Sequence, residues 1–382
     1  MKNIFVCLFL SITVLFSSCK KQEQVAPEKN DTIVPVNKEA EIRKLDSLLS
    51  RFDVPTQTFK ASSKKLIEVV GKQGTKLRIN PNNLETENGE PLASKITVEL
   101  KEFSNKEQLL RGNAQTVSNG DILVSGGAFY VGITSNGQKV QLKKGKTYQA
   151  QLPKLSDKEM SLFYGERDSA GLLNWIQAPQ KFKEQKVKTI VNDSNIAIIE
   201  GGYEDSIITE YEMIPGLKVD IERIKELEEL EKKRKEKIAI AKQKAKEKLK
   251  KENPDQYYMY EFIDLNKLGW INCDRTFNEN RGFTRVYYHI KNKNINVHKA
   301  SLFLKEYNAV ISATINPNDD LNKGSIKAPI GMEFQIFCVA LVDNQIYAII
   351  VNPHLVSENL DLELELQPVT EKELEKIMQE VK

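Results

Sequence analysis

Residues 95–101, Lys-Ile-Thr-Val-Glu-Leu-Lys, decide the fold class. Ile96, Val98 and Leu100 alternate with Lys95, Thr97, Glu99 and Lys101. Apolar side chains at every second position fall on one face of an extended chain, so the segment reads as a half-buried β-strand. The same period recurs around it in "GAFYVGIT" (127–134), "TYQAQLP" (147–153), "MSLFYGE" (160–166) and "IAIIE" (196–200). Turn signals separate these runs: Asn88-Gly89, Asn119-Gly120, Asn136-Gly137 and Ala170-Gly171. Many short strands at such spacing predict an antiparallel sandwich or barrel.

Moving outward, "EAEIRKLDSLLSRF" (39–52) places Ile42, Leu45, Leu48, Leu49 and Phe52 at helical spacing, which predicts a short amphipathic helix. Residues 217–252 contain neither Gly nor Pro and are rich in helix formers, with Pro215-Gly216 before them and Asn253-Pro254 after. The apolar stripe of this stretch is thin and breaks between 231 and 237, so sustained heptads are absent. Its charge is sorted. Residues 220–231 carry six acids against two bases, and 232–251 carry eleven Lys/Arg against two Glu. Such a basic end suits lipid headgroups, anionic glycans or nucleic acid, against the plainer reading of a solvated spacer.

From 254 onward β character returns in "YYMYEFIDL", "FTRVYYHI", "AVISATI", "MEFQIFCVALV", "QIYAIIV" and "LDLELEL". Leu362, Leu364 and Leu366 alternate inward. "TEKELEKIMQEV" (370–381) closes the chain as a helix with Thr370 and Glu373 placed for a capping box. The expected architecture is therefore mainly β: two antiparallel β-sandwich domains, 39–216 and 254–382, joined by a long charged α-helix at 217–253. Short helices sit at both ends.

The amino-terminal residues carry a different message. Lys2 is followed by an apolar run from Ile4 to Phe16, then Ser17-Ser18-Cys19-Lys20-Lys21. The run is too short to span a ~30 Å hydrocarbon core, and its flanks are those of a signal peptide. Phe16-Ser17-Ser18-Cys19 resembles the lipobox of bacterial lipoproteins, although Phe16 stands where Leu or Val is usual. The resemblance implies a signal peptide at 1–18, lipidation of Cys19, and a tether at 19–38 with Pro27 and Pro35. Several acyl chains on one residue give stable anchoring, where a single chain does not.

"GTKLRINPNNL" (74–84) followed by "GEPLASKITVELKEF" (89–103) resembles the β-sandwich domain shared by netrin receptors, ankyrins and the zonula occludens scaffold. The likeness covers residues 60–150. Some members cleave themselves at a Phe-Ser bond with the help of a histidine; residues 60–150 contain none, so that activity is not implied. The whole chain also resembles outer-membrane lipoproteins of the Bacteroidetes, in which "GWINCDR" (269–275) opens a second β domain. These likenesses imply an envelope protein, with the face of the outer membrane left open.

Composition bounds the rest. A formal charge of +3 over 382 residues argues against a polyanion-binding chain as a whole, and no nucleic acid partner is expected of an exported protein. Of four cysteines, Cys7 leaves with the leader and Cys19 is the lipid site. Cys273 and Cys338 remain, either paired or as buried thiols. "KKGKT" (143–147) lacks the earlier glycine of a phosphate loop, Val140 standing in its place, and reads as a hairpin turn. "NPNDDLNKG" (316–324) alternates Asn318, Asp320 and Asn322 as calcium loops do, but Pro329 stands where the bidentate Glu belongs. His289, His298 and His354 form no metal pattern, with His289 read as packed in a strand. Ser169 in "RDSAG" reads as a hairpin turn, with no nucleophile elbow in the chain.

No catalytic, cofactor or metal residues are expected. The candidate ligand contact is "GWINCDR", with Trp270 stacking and Asp274 and Arg275 hydrogen-bonding. Its structural counterpart is a strand that buries Trp270 and Cys273. The expected function is a non-enzymatic structural or protein–protein interaction module, anchored to membrane through Cys19 and meeting envelope proteins or glycans. The alternative is carbohydrate binding by Trp175 and Trp270.

Overall fold

Among the described residues, period-two alternation becomes strand where a partner strand is available. The computed structural model describes residues 38–168, 171–184, 258–295, 297–313 and 322–382, and isolated positions between 228 and 251. The described part opens with helix α1 (Lys38–Ser50), which buries Leu45 and Leu48 while Ile42 faces solvent. The strands that follow are β1 (Gln57–Ser62), β2 (Ile67–Val70), β3 (Lys76–Ile79), β4 (Leu84–Thr86) and β5 (Lys95–Phe103). After a short helix α2 (Lys106–Arg111) come β6 (Val117–Ser118), β7 (Asp121–Ser135), β8 (Gln138–Leu142), β9 (Tyr148–Gln151), β10 (Ser161–Arg167) and β11 (Leu173–Lys181). Beyond the charged stretch lie β12 (Ile263–Leu265), β13 (Gly269–Thr276), β14 (Phe283–Ile290), β15 (His298–Leu304) and β16 (Val310–Ser312). The chain finishes with β17 (Lys323–Pro329), β18 (Glu333–Val342), β19 (Gln345–Leu355), β20 (Asp361–Leu364), β21 (Gln367–Val369) and helix α3 (Glu371–Gln379). Thr370 and Glu373 form the capping box of α3.

The protein is mainly β, with several antiparallel sheets. The largest runs β1-β5-β7-β13-β10-β11, and β12-β9-β3-β2 packs against one of its faces. Ile96, Val98 and Leu100 of β5 point into that first core with Phe129 and Val131, against Leu77, Ile79 and Tyr148. A second core lies between β16-β15-β18-β19-β21 and β17-β14-β20, around Leu302, Ile336, Cys338, Val286 and Tyr288. A third core uses the faces left over. Phe103, Phe163 and Trp175 of the large sheet meet Phe303, Phe337 and Val339 of the five-stranded sheet, sealed by α1 and α3. Strand β18 is therefore buried on both faces, which explains its unbroken apolar run.

This third core corrects the expected domain plan. Lys38–Lys382 is one compact unit, and the sheets do not divide at 254. Strand β13, expected to open a second domain, pairs with β7 on one side and β10 on the other in the middle of the first sheet. The reason is its double-sided apolarity: Ile271 and Cys273 serve the first core while Trp270 packs on the third. Strand β12 likewise extends the small first sheet through β9.

The charged stretch is not a link between two bodies either. Glu184, just before it, is bridged to Tyr260, just after it. The chain thus leaves and re-enters the same place. Most of 217–253 lies outside the described residues; the described positions, such as Lys232, Lys233, Lys244 and Lys250, are helical and exposed. Also outside are residues 1–37, with the expected leader, Cys19 and tether, and "IAIIE", Ser169 and 314–321.

Two smaller departures have local causes. "KKGKT" is a turn but not a hairpin, because β8 pairs with β7 and β4 whereas β9 pairs with β3 and β12. Strand β20 carries Leu362 and Leu364 inward as expected but runs parallel to β14, the one parallel pairing among the described strands.

Candidate functional site

The site is built where β13 crosses β7. The ladder slips between Asn272 and Asp274, where Gly126 and Gly127 make an extra step in β7. Gly127 has φ of +112°, which a side-chain-bearing residue rarely adopts. A Cβ on Gly126 would lie 2.8 Å from the Cys273 carbonyl oxygen. Such bulges re-aim neighbouring side chains. Here the result is a buried polar knot. Asn272 Nδ2 donates to Asp274 Oδ2 at 2.5 Å, and Ser125 Oγ to Asn272 Oδ1 at 3.3 Å. Asp274 is fully buried, and burial pushes its carboxyl up to about 7 against the hydrogen bond from Asn272. Its Oδ1 has no partner among the described residues. Burial also raises the adjacent Cys273 thiol. Cys273 and Cys338 are both free and buried, in different cores.

Above the knot lies a cleft of about 300 Å³ lined by Ser104, Lys106, Ser125, Leu155, Asn308 and Lys382, among others. Lys106, 9% exposed, donates to the carbonyls of Leu304 (2.6 Å), Lys305 (3.0 Å) and Lys382 (2.7 Å). Three acceptors use all three ammonium donors. Burial lowers its pKa to about 8. Lys106 thus fastens α2 to the end of β15 and to the last residue, and has no donor left for a ligand. Asn308 Nδ2 spans Ser104 O and Ser125 O.

The sequence candidates do not converge on one spot. Trp270, Asn272 and Asp274 share a strand face, but four residues at ~3.4 Å put Trp270 and Asp274 roughly 14 Å apart. Trp270 sits in an aromatic cluster, with ring centroids 5.1 Å from Phe103, 5.4 Å from Tyr130 and 6.3 Å from Trp175. The Arg167 guanidinium lies over its ring at 4.9 Å. Arg275 lies over Tyr307. Trp175, the other candidate sugar platform, is fully buried with Nε1 donating to Gln115 O. Trp175 thus has no exposed face for a sugar, whereas Trp270 is half-buried between Phe103 and Arg167.

Histidines separate cleanly. His298 is the packed one: buried, bonded to the Tyr288 hydroxyl at 2.9 Å, with burial lowering its pKa to about 4. His289, expected to pack within its strand, is instead on the outward side of β14, 3.7 Å from Asp361 and 3.5 Å from Glu363. Among the described residues no group of three or more His, Cys, Asp or Glu side chains is placed to hold a metal.

That outward side is what sequence reasoning missed. On β14, Val286, Tyr288 and Ile290 point inward, so Phe283, Arg285, Tyr287 and His289 point out. Phe283 is 43% and Tyr287 47% exposed. The signal lies in "FTRVYYHI", where only the face carrying Arg285 and His289 is charged. No family model matches the chain, and no curated protein proved similar to it.

Proposed function

We propose that the chain is a lipid-anchored cell-envelope protein of the outer membrane. In this reading it acts as a non-enzymatic structural or protein–protein interaction module, facing either the periplasm or the cell surface. The observation that carries it is the leader: Lys2, the apolar run Ile4–Phe16, then Ser17-Ser18-Cys19. Its likeness to outer-membrane lipoproteins supports the same location. The fate of the buried polar groups supports a scaffold role. Glu102 accepts from Gln57 Nε2 and from the Gln73 and Thr75 N–H groups, and Lys106 is saturated by carbonyls, so both serve the frame. In this reading residues 217–253 form a long charged helix. The test is Cys19→Ala in cells. The variant moves from the membrane pellet to the soluble fraction, and a variant that stays in the pellet overturns the anchor.

A second reading, a carbohydrate-binding envelope lipoprotein, is favoured by one observation. Two aromatic rings, Phe283 and Tyr287, stand half-exposed on an open sheet face, apart from the cluster that holds Trp175 and Trp270.

A further inference from the structure

We infer that the outward face of the β14–β17–β20 sheet binds an acidic polysaccharide, with Phe283 and Tyr287 under sugar rings and Arg285 on a sugar carboxylate. The inference rests on the carbohydrate reading and gives it a site and a ligand class.

The three side chains follow one another at every second position of β14, the strand in the middle of the sheet. At ~3.4 Å per residue the two aromatic Cα atoms stand roughly 14 Å apart with Arg285 between them. Phe283 is held in place by an edge-to-face contact with the buried Phe277, centroids 6.0 Å apart, and Lys327 Nζ lies 5.1 Å from its centroid. Tyr287 projects beside Ser325 on one neighbouring strand and Asp361 on the other. Rings fixed in the strand lose little freedom when a ligand covers them.

Charge selects an acidic ligand. Arg285 has one hydrogen bond, from Nη1 to Ser325 Oγ at 2.9 Å, and no carboxylate partner among the described residues. Most of its five donors remain for an anion, in the fork geometry that suits a carboxylate. Lys327, by contrast, already donates to Gly120 O and sits 3.6 Å from Asp121. Arg285 therefore has no carboxylate partner among the described residues, and it stands between the two rings.

The surroundings favour a hydroxyl-rich chain over a protein. His289, Asp361 and Glu363 lie at one end, supplying donors and acceptors together. Protein interfaces are depleted of Asp and Glu at their centres. Sugar hydroxyls accept and donate in the same small space, and their apolar ring faces suit aromatic platforms.

The experiment uses the full chain as Cys19→Ala, polygalacturonate as the acidic probe and dextran as the neutral one, with affinity electrophoresis and calorimetry. Wild-type surface binds polygalacturonate. Phe283→Ala and Tyr287→Ala each weaken that binding at least tenfold, with unchanged thermal melting. Arg285→Gln weakens it tenfold and abolishes its salt dependence. Variants that melt normally and keep full affinity overturn the assignment of this face while leaving the carbohydrate reading intact. A chain that binds dextran alone overturns the acidic ligand class, whatever the variants do. Binding to neither polysaccharide overturns both, as does capture of a protein by this face.

Discussion

At the scale of single residues, the buried groups of β13 and β15 set how the protein responds to pH. Asp274 has its carboxyl raised from 3.8 to about 7, so the folded state holds its proton longer than the unfolded chain. The associated stability is present below pH 3.8 and is lost as pH rises through 7, a loss on the order of 4 kcal/mol at ~1.4 kcal/mol per pH unit. His298 is shifted the other way, from 6.5 to about 4, so its contribution rises as pH climbs through that window. Between about pH 4 and 6.5 the two slopes oppose each other and nearly cancel. Asp274→Asn removes one of them. The variant therefore gains stability relative to wild type on going from pH 4 to pH 8, read as a growing difference in Tm. A difference that stays constant across that range rules out the buried carboxyl as a titrating group. Trp270→Ala tests the same strand's other role. Losing its contacts with Phe103, Tyr130 and Trp175 costs about 3 kcal/mol, seen as a lower urea midpoint. A variant with an unchanged midpoint and lost ligand binding restores the ligand-contact reading.

At the scale of elements, local periodicity was legible and partnership was not. "KITVELK" and "TEKELEK" declare strand and capped helix because their signals lie within a few residues. The place of β13 depends on β7, about 140 residues earlier, and the local trace of their meeting is the Gly126-Gly127 pair. "GWINCDR" therefore looked like the opening of something new when it is the middle of something old. The orientation of β14 was half legible: aromatic residues stand on both faces, and only Arg285 and His289 mark the wet one. The charged stretch was legible as composition but not as connection. Because Glu184 and Tyr260 are bridged, residues 186–257 are an insertion whose ends already meet. Replacing them with a short Gly-Ser linker closes a smaller loop, which is entropically favourable. The shortened chain should keep a single cooperative melt with Tm within a few degrees of the parent. A molten or aggregated product instead shows that the insertion packs into the frame.

At the scale of the whole molecule, the third core decides whether the protein behaves as one body or two. A plan of two sandwiches predicts two transitions and two separable fragments. The packing predicts otherwise. Phe103, Phe163 and Trp175 are buried by Phe303, Phe337 and Val339, so each half exposes a large apolar face when the other is removed. The fragment ending at 253 also lacks β13, leaving β7 and β10 without the strand that separates them in the sheet. Lys106 adds a polar fastening, since its three carbonyl partners all lie beyond residue 303. Deprived of them, its ammonium is left half-solvated beside an open face. Expression of 38–253 and 254–382 as separate chains should therefore give insoluble or dye-binding products. Co-expression should recover a complex with the near-ultraviolet dichroism of the intact protein, because the buried aromatic cluster forms only across the join. Unfolding of the intact chain by urea should follow one transition by fluorescence and dichroism alike. Two soluble fragments with native dichroism, or two resolved transitions, would show that the third core is a contact between independent domains.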